Sequence, residues 1–273
     1  MKVLLGLVGA AGLGAALARV AAERALASPP PWSLRTNVSG RSVPAVLGLC
    51  VTVAGTIPLT SSVAQVAGDG GWLRMTAAAF VVVTLLGTAG LWDDSRGDEA
   101  PRGFAGHLSA RRLTGGVVKL VAGGVAGIAC AAVLAPDDLG RAALIALAVP
   151  LAANLFNLLD RAPGRTGKVA LLVAAPLLAL GNETWALAAA GTFGALAALL
   201  PVDLAERGML GDAGANPIGG LVGLGLAVSL DTAPLAAVVA LLAALNAASE
   251  RWSFSQVIDR TPLLRKLDSI GRK

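Results

Sequence analysis

No tyrosine occurs in the 273 residues, and the chain holds only five phenylalanines, two cysteines and one histidine. Each scarcity removes a class of chemistry. Cys50 and Cys130 lie inside apolar segments without a CxxC spacing or a neighbouring histidine, which argues against a metal site built on them and against a disulfide framework. Both read as small apolar residues. His107 stands in an arginine-containing connection, where a solvated imidazole is expected. Charge is scarce as well: Asp, Glu, Lys and Arg make up 14% of the chain against 55% hydrophobic residues, and the mean hydropathy is +0.72. A water-soluble domain of this length cannot hide so much apolar surface, so lipid is the expected solvent for most of the chain. Sustained alternation of period two is missing, which argues against a β-barrel. An internal repeat is missing too, which speaks against one common transporter design.

What is abundant is Ala, Leu, Val and Gly, the composition of helices that pack backbone to backbone where lipid supplies no hydrophobic drive for association. Apolar runs at about 3–22, 43–65, 73–92, 115–135, 141–158, 168–181, 183–200, 217–230 and 233–248 predict an all-α, polytopic transmembrane bundle of about nine helices within residues 1–248. The sixth and eighth runs are short for a span. The first has the look of a signal peptide but is followed by Arg19, Arg24 and Pro29-Pro30-Pro31 rather than a clear cleavage site, so it reads as a retained helix. Residues 249–273 form a basic tail in which Thr261-Pro262 starts a helix. Leu263, Leu264, Leu267 and Ile270 share one face of it, as in an interfacial helix on anionic lipid.

Charge sets the expected orientation. Segments 23–42, 93–114, 159–168, 201–216 and 249–273 carry 17 Lys or Arg, while the N-terminus and the alternate connections carry only Lys2, Arg74 and Arg141. The positive-inside rule then puts the first set in the cytoplasm, the N-terminus outside and the protein in the plasma (inner) membrane. The net charge of +5 and pI near 9.9 follow from this bias and imply no nucleic-acid partner.

Polar motifs collect on that same side. Asp93-Asp94 ends the third run, and two adjacent carboxylates there are costly unless a cation or proton sits between them, which makes the pair a divalent-metal candidate. Asp137-Asp138, in an outer connection, is the same dipeptide without that setting. Lys119 falls ~9 Å into the next helix, at 1.5 Å per residue, where it either snorkels to the surface or meets an anion such as a phosphate. Asn154, Asn157 and Asp160 recur every third residue and can share one face, to bond across helices or to line a polar cleft. Gly211-Asp212-Ala213-Gly214 precedes another helix, where glycines permit close approach and free amides suit an anion. Arg161 and Arg165 add positive charge beside these groups, suited to a phosphate-rich ligand or to anionic lipid. Gly123-Gly124 and Gly219-Gly220 allow close helix pairs and leave a homo-oligomer open.

Taken in order, these motifs resemble the polyprenyl-phosphate N-acetylhexosamine-1-phosphate transferases, the family of the phospho-MurNAc-pentapeptide and GlcNAc-1-phosphate transferases. Arg35 to Pro44, with Asn37, is similar to that family's opening motif, and the likeness runs to about Gly223. The resemblance implies Mg²⁺-dependent transfer of a sugar 1-phosphate from a UDP-sugar to an undecaprenyl-type phosphate, with release of UMP. It implies that Asp93, Asp94, Lys119 and Asp212 are catalytic and that Asp94 and Asp212 hold the metal. Asn37, Asn154, Asn157, Asp160, Arg161, Arg165, Gly211 and Gly214 would bind substrate. The chain departs from the family pattern at Pro163, where a second acid would stand, and no His-rich late loop is recognisable. Those departures motivate an alternative, a non-catalytic relative that binds lipid phosphate or an envelope partner; a small transporter is the third class.

Overall fold

The computed structural model describes residues 1–63, 70–96 and 115–272. His107 and the rest of the 97–114 connection lie outside the described residues. Eleven α-helices account for most of the described chain, because in lipid every backbone amide must be satisfied within its own segment. The helices are α1 (Lys2–Ala27), α2 (Leu47–Val63), α3 (Gly70–Arg96), α4 (Gly115–Leu134), α5 (Leu139–Leu159), α6 (Arg165–Leu180), α7 (Glu183–Leu204), α8 (Asp212–Ser229), α9 (Thr232–Ser249), α10 (Phe254–Arg260) and α11 (Pro262–Ser269). Each of the nine apolar runs falls on one of α1 to α9. Six of them, α1, α3, α4, α5, α7 and α9, are long and apolar enough to cross a membrane.

One short run turns out to be the centre of the bundle. Fourteen of the eighteen residues of α8 are buried, against three on α1, and α8 packs against α2, α3, α5, α6 and α7. Its low hydropathy follows from that position: it meets protein rather than lipid, and small residues admit the neighbouring backbones. A Cβ on Gly219 would lie 2.7 Å from the Ala152 carbonyl oxygen of α5, and one on Gly220 would strike Leu86 and Val82 of α3. These two glycines therefore serve packing within the chain, as does Gly123 against Pro150, while Gly124 faces open space. Trp185, fully buried on α7, donates its indole N–H to the Leu221 carbonyl at 3.0 Å.

Between α1 and α2 a short antiparallel hairpin pairs β1 (Leu34–Thr36) with β2 (Ser42–Pro44). Asn37 shapes its turn, its side-chain oxygen accepting from the Ser39 and Arg41 amides at 3.0 and 2.8 Å. Backbone bonds Met209 N–H to Pro44 O, at 2.8 Å, and Leu47 N–H to Met209 O, at 3.1 Å, then stitch the hairpin to the segment before α8.

Candidate functional site

The C-terminal ends of α3, α5 and α7 and the N-terminal ends of α4, α6 and α8 meet at one end of the bundle. There they enclose, with the hairpin, a cavity of about 400 Å³, within the range of small-molecule sites. Lys119, one turn into α4, places its Nζ 2.7 Å from Asp93 Oδ2 of α3 and 2.6 Å from Asp212 Oδ2 of α8. The ammonium is about three-quarters covered and does not snorkel away: two carboxylates hold it. Gly115 makes this possible, since any side chain at the first residue of α4 would overlap the Asp93 carboxylate.

Asp94 does something different from its neighbour. Its two oxygens accept the first free amides of α8, Asp212 N–H at 3.2 Å and Ala213 N–H at 2.9 Å, so a carboxylate from α3 caps a helix that begins 118 residues later. Gly211, the residue before α8, has φ of +68°, and a Cβ there would come within 2.9 Å of Asp94 Oδ2. Glycine supplies both the left-handed backbone and the room. Arg35 reaches the Asp94 carbonyl and those of Trp32 and Leu34, tying the hairpin to the end of α3.

The remaining expected residues divide. Asn37, Asn157, Asp160, Arg161 and Gly211 line the cavity with the ion cluster. Asn157 lies near Asp212, and its buried Nδ2 has no partner at hydrogen-bonding distance. Asn154 does not join them: its amide donates to Asn246 Oδ1 of α9 at 2.5 Å, an interhelical bond. The reason is helical drift. Steps of three residues turn by about −60° each, so Asn154 and Asp160 end ~120° apart and only the later two reach the cavity. Gly214 packs against Gly48 and Leu210 instead of facing ligand space.

Arg165 is likewise not a cavity residue. Buried at the start of α6, it donates through Nε and Nη2 to both oxygens of Asp268 at 2.9 and 2.8 Å and through Nη1 to Ser255 Oγ at 2.8 Å. The C-terminal tail thus consumes a charge that, on sequence alone, suits a phosphate-rich ligand or anionic lipid. Burial pushes the Asp268 carboxyl up, but hydrogen bonds and charge from Arg165 and Arg272 outweigh it and hold the group below its usual range. Asp160 moves the other way. Desolvation among protein atoms, reinforced by the negative charges of Asp203 and Asp212, raises it well above the ordinary carboxylate value.

Two acids of the cavity escape the motif reading, Asp203 and Glu206. Asp203, nearly buried in the last turn of α7, accepts the Gly164 amide at 3.0 Å and brings a second acid to the Asp160 side although position 163 is proline. The signal for it was available, an acid at the end of an apolar run on the same side as the others. Glu206 had no such signal. Its φ of +53°, uncommon for a residue other than glycine, turns its carboxylate onto the hairpin, where Arg41 Nη2 lies 2.7 Å away and Ser39 Oγ 3.2 Å away. Asn37 donates to the same carboxylate.

Among the described residues no group of three or more His, Cys, Asp or Glu side chains is arranged to hold a metal ion. Of the expected pair Asp94 and Asp212, Asp94 accepts two α8 amides, whereas Asp93 and Asp212 face each other across Lys119. The donor set nevertheless suits a hard cation held by two carboxylates and completed by phosphate oxygens. Six acids and three bases line the cavity, so a polyphosphate needs accompanying positive charge to enter it. No family model matches the chain, and no curated protein matches it.

Proposed function

We propose that this cavity transfers a sugar 1-phosphate from a UDP-N-acetylhexosamine-type donor to a polyprenyl phosphate, in envelope glycan synthesis. The observation that carries the reading is the convergence of Lys119, Asp93 and Asp212 on one point, with Asn157 and Asp160 around it, at one end of a bundle of apolar helices. Phosphoryl transfer asks a protein mainly for positioning and charge neutralisation. An oxygen of the lipid phosphate attacks the β-phosphorus, the bond from that phosphorus to the oxygen bridging to the α-phosphate breaks, and UMP leaves with the bond electrons.

Lys119 turns its ammonium from the carboxylates to the incoming phosphate oxygens. The unpartnered Asn157 amide and the Arg161 guanidinium meet the donor, and Asn37 and Asp160 border the same space. Asp94 acts on position rather than charge, by fixing where α8 begins. Asp93 and Asp212 would hold Mg²⁺, which when bound offsets the charge of the two phosphates. In this reading α1 to α9 all span the inner membrane and the 17 basic residues place the cavity in the cytoplasm.

Purified protein supplied with undecaprenyl phosphate, Mg²⁺ and a panel of UDP-HexNAc donors is expected to release UMP, and Asp93→Asn or Asp212→Asn to slow release by at least about 100-fold. Absence of UMP across the panel, or unchanged rates in both variants, defeats the proposal. A second reading is favoured by Lys119 already filling the point between Asp93 and Asp212 and by Pro163: a lipid-phosphate binder without turnover. Binding of undecaprenyl phosphate without UMP release identifies it. Acids gathered at helix ends rather than at mid-bundle count against a transporter.

A further inference from the structure

The C-terminal tail leaves an apolar face uncovered. Leu263, Leu264 and Leu267 of α11 fall within ~100° of arc and are 67, 41 and 52% exposed, and Ile270 just beyond is 57% exposed. Asp268, beside that arc, points inward and is buried, while Arg265 and Lys266 flank the leucines on the exposed surface. α11 is therefore pinned to the protein on one side and offers leucines with basic neighbours on the other. A face of this kind at the end of a lipid-embedded bundle matches the interface of a bilayer whose headgroups are negative.

The same helix grips the rim of the cavity. Besides the Arg165 pair with Asp268, Arg272 Nη2 lies 2.7 Å from Asp268 Oδ1, and its Nε donates to the Pro163 carbonyl at 2.9 Å. Lys168 Nζ donates to the carbonyls of Leu267, Asp268 and Ile270 at the end of α11. Asp160, Arg161, Ala162 and Pro163 line the cavity. These polar ties join α11 and the residues after it to the 163–168 segment that carries this rim.

We propose that the leucine face of α11 docks on the anionic leaflet at the site end of the bundle, and that this docking, passed through Asp268 and Arg272, holds the 160–164 rim of the cavity in place. The partner is a lipid surface recognised by apolar burial and negative charge. The inference is independent of which reaction the cavity carries.

Hydrogen-deuterium exchange on the full-length protein in single-copy nanodiscs tests it, comparing phosphatidylcholine alone with phosphatidylcholine containing roughly one-third phosphatidylglycerol. Amides of 262–269 and of 161–168 are both expected to exchange about tenfold slower in the anionic discs. The double variant Arg265→Glu, Lys266→Glu alters only exposed side chains and is expected to lose the slowing in both segments. In Asp268→Asn the lipid response is expected to persist at 262–267 and to vanish at 161–168. Equal rates in the two lipids overturn the docking. A response of 262–269 without one at 161–168 in the unaltered protein overturns the transmission. Protection that appears only in discs carrying two copies assigns the face to a second copy and overturns the lipid assignment.

Discussion

The chain contains two Asp-Asp pairs, Asp93-Asp94 and Asp137-Asp138, and they behave alike in one respect and not in another. In each, the second residue caps a helix. Asp138 accepts the Arg141 amide of its own helix α5 at 2.9 Å, and Asp94 accepts two amides of α8. The first residues part company: Asp137 is exposed, whereas Asp93 is half-buried against Lys119. Burial and a cationic partner therefore distinguish the neighbours of the two capping acids. The dipeptide itself does not set the role: Asp137-Asp138 precedes the helix it caps, whereas Asp93-Asp94 lies in the last turn of one helix and caps another. The two ends of α8 carry the same lesson, since Asp94 closes its N-terminus while Arg141 closes its C-terminus through the Ala227 and Leu230 carbonyls at 2.8 and 2.9 Å. Each charge matches the end of the helix dipole it faces.

The sharpest way to break the comparison is Lys119→Met. It leaves Asp93 and Asp212 facing each other without a counter-charge, and it is expected to lower stability by about 2–4 kcal/mol and to abolish UMP release. Thermal unfolding in detergent together with the nucleotide assay reads both. Asp94→Ala comes next, removing the acceptor for two α8 amides. The expected loss is about 1–2 kcal/mol, with UMP release down by at least about tenfold through displaced Asp212.

Acid titration sharpens the contrast between the cavity and its latch. A carboxyl held below its usual value contributes stability above about pH 4 that disappears as pH falls through its folded value. A carboxyl held above its usual value costs stability at neutral pH and is relieved as pH falls. Unfolding midpoints should therefore rise on mild acidification through Asp160 and fall below about pH 4 through Asp268. Asp160→Asn should weaken the first limb and Asp268→Asn the second, and midpoints unaffected by both variants would contradict the assignment. The smallest effect is Asp138→Ala, about 1 kcal/mol from a lost cap with UMP release unchanged.

Much of this was open to view in the sequence, for identifiable reasons. Spans need length and apolarity, and both are written locally, so each of the nine runs marks a helix. The same rule undervalues α8, whose glycines and Asn216 serve a place inside the bundle that only the tertiary arrangement provides. Lys119, Asp93, Asp94 and Asp212 stand out because charges near helix ends need partners. Which partner each takes depended on side-chain direction: Asp94 turned to amides, Asp93 to the ammonium. Local spacing leaves Arg165 and Asn154 free to face ligand space because their partners, Asp268 and Asn246, lie roughly a hundred residues away along the chain. Glu206 depended on an unusual backbone angle that no spacing announces.

The Lys119 cluster also bears on how the protein reaches its membrane. Asp93 and Lys119 lie on α3 and α4, which pack together, whereas Asp212 follows 93 residues after Lys119. Once α3 and α4 have paired, Asp93 and Lys119 can neutralise each other, lowering the cost of placing either against hydrocarbon. The second acid arrives only when α8 has been made, so the helix at the centre of the bundle completes the charge balance and, with its first amides on Asp94, is set in depth by groups laid down much earlier.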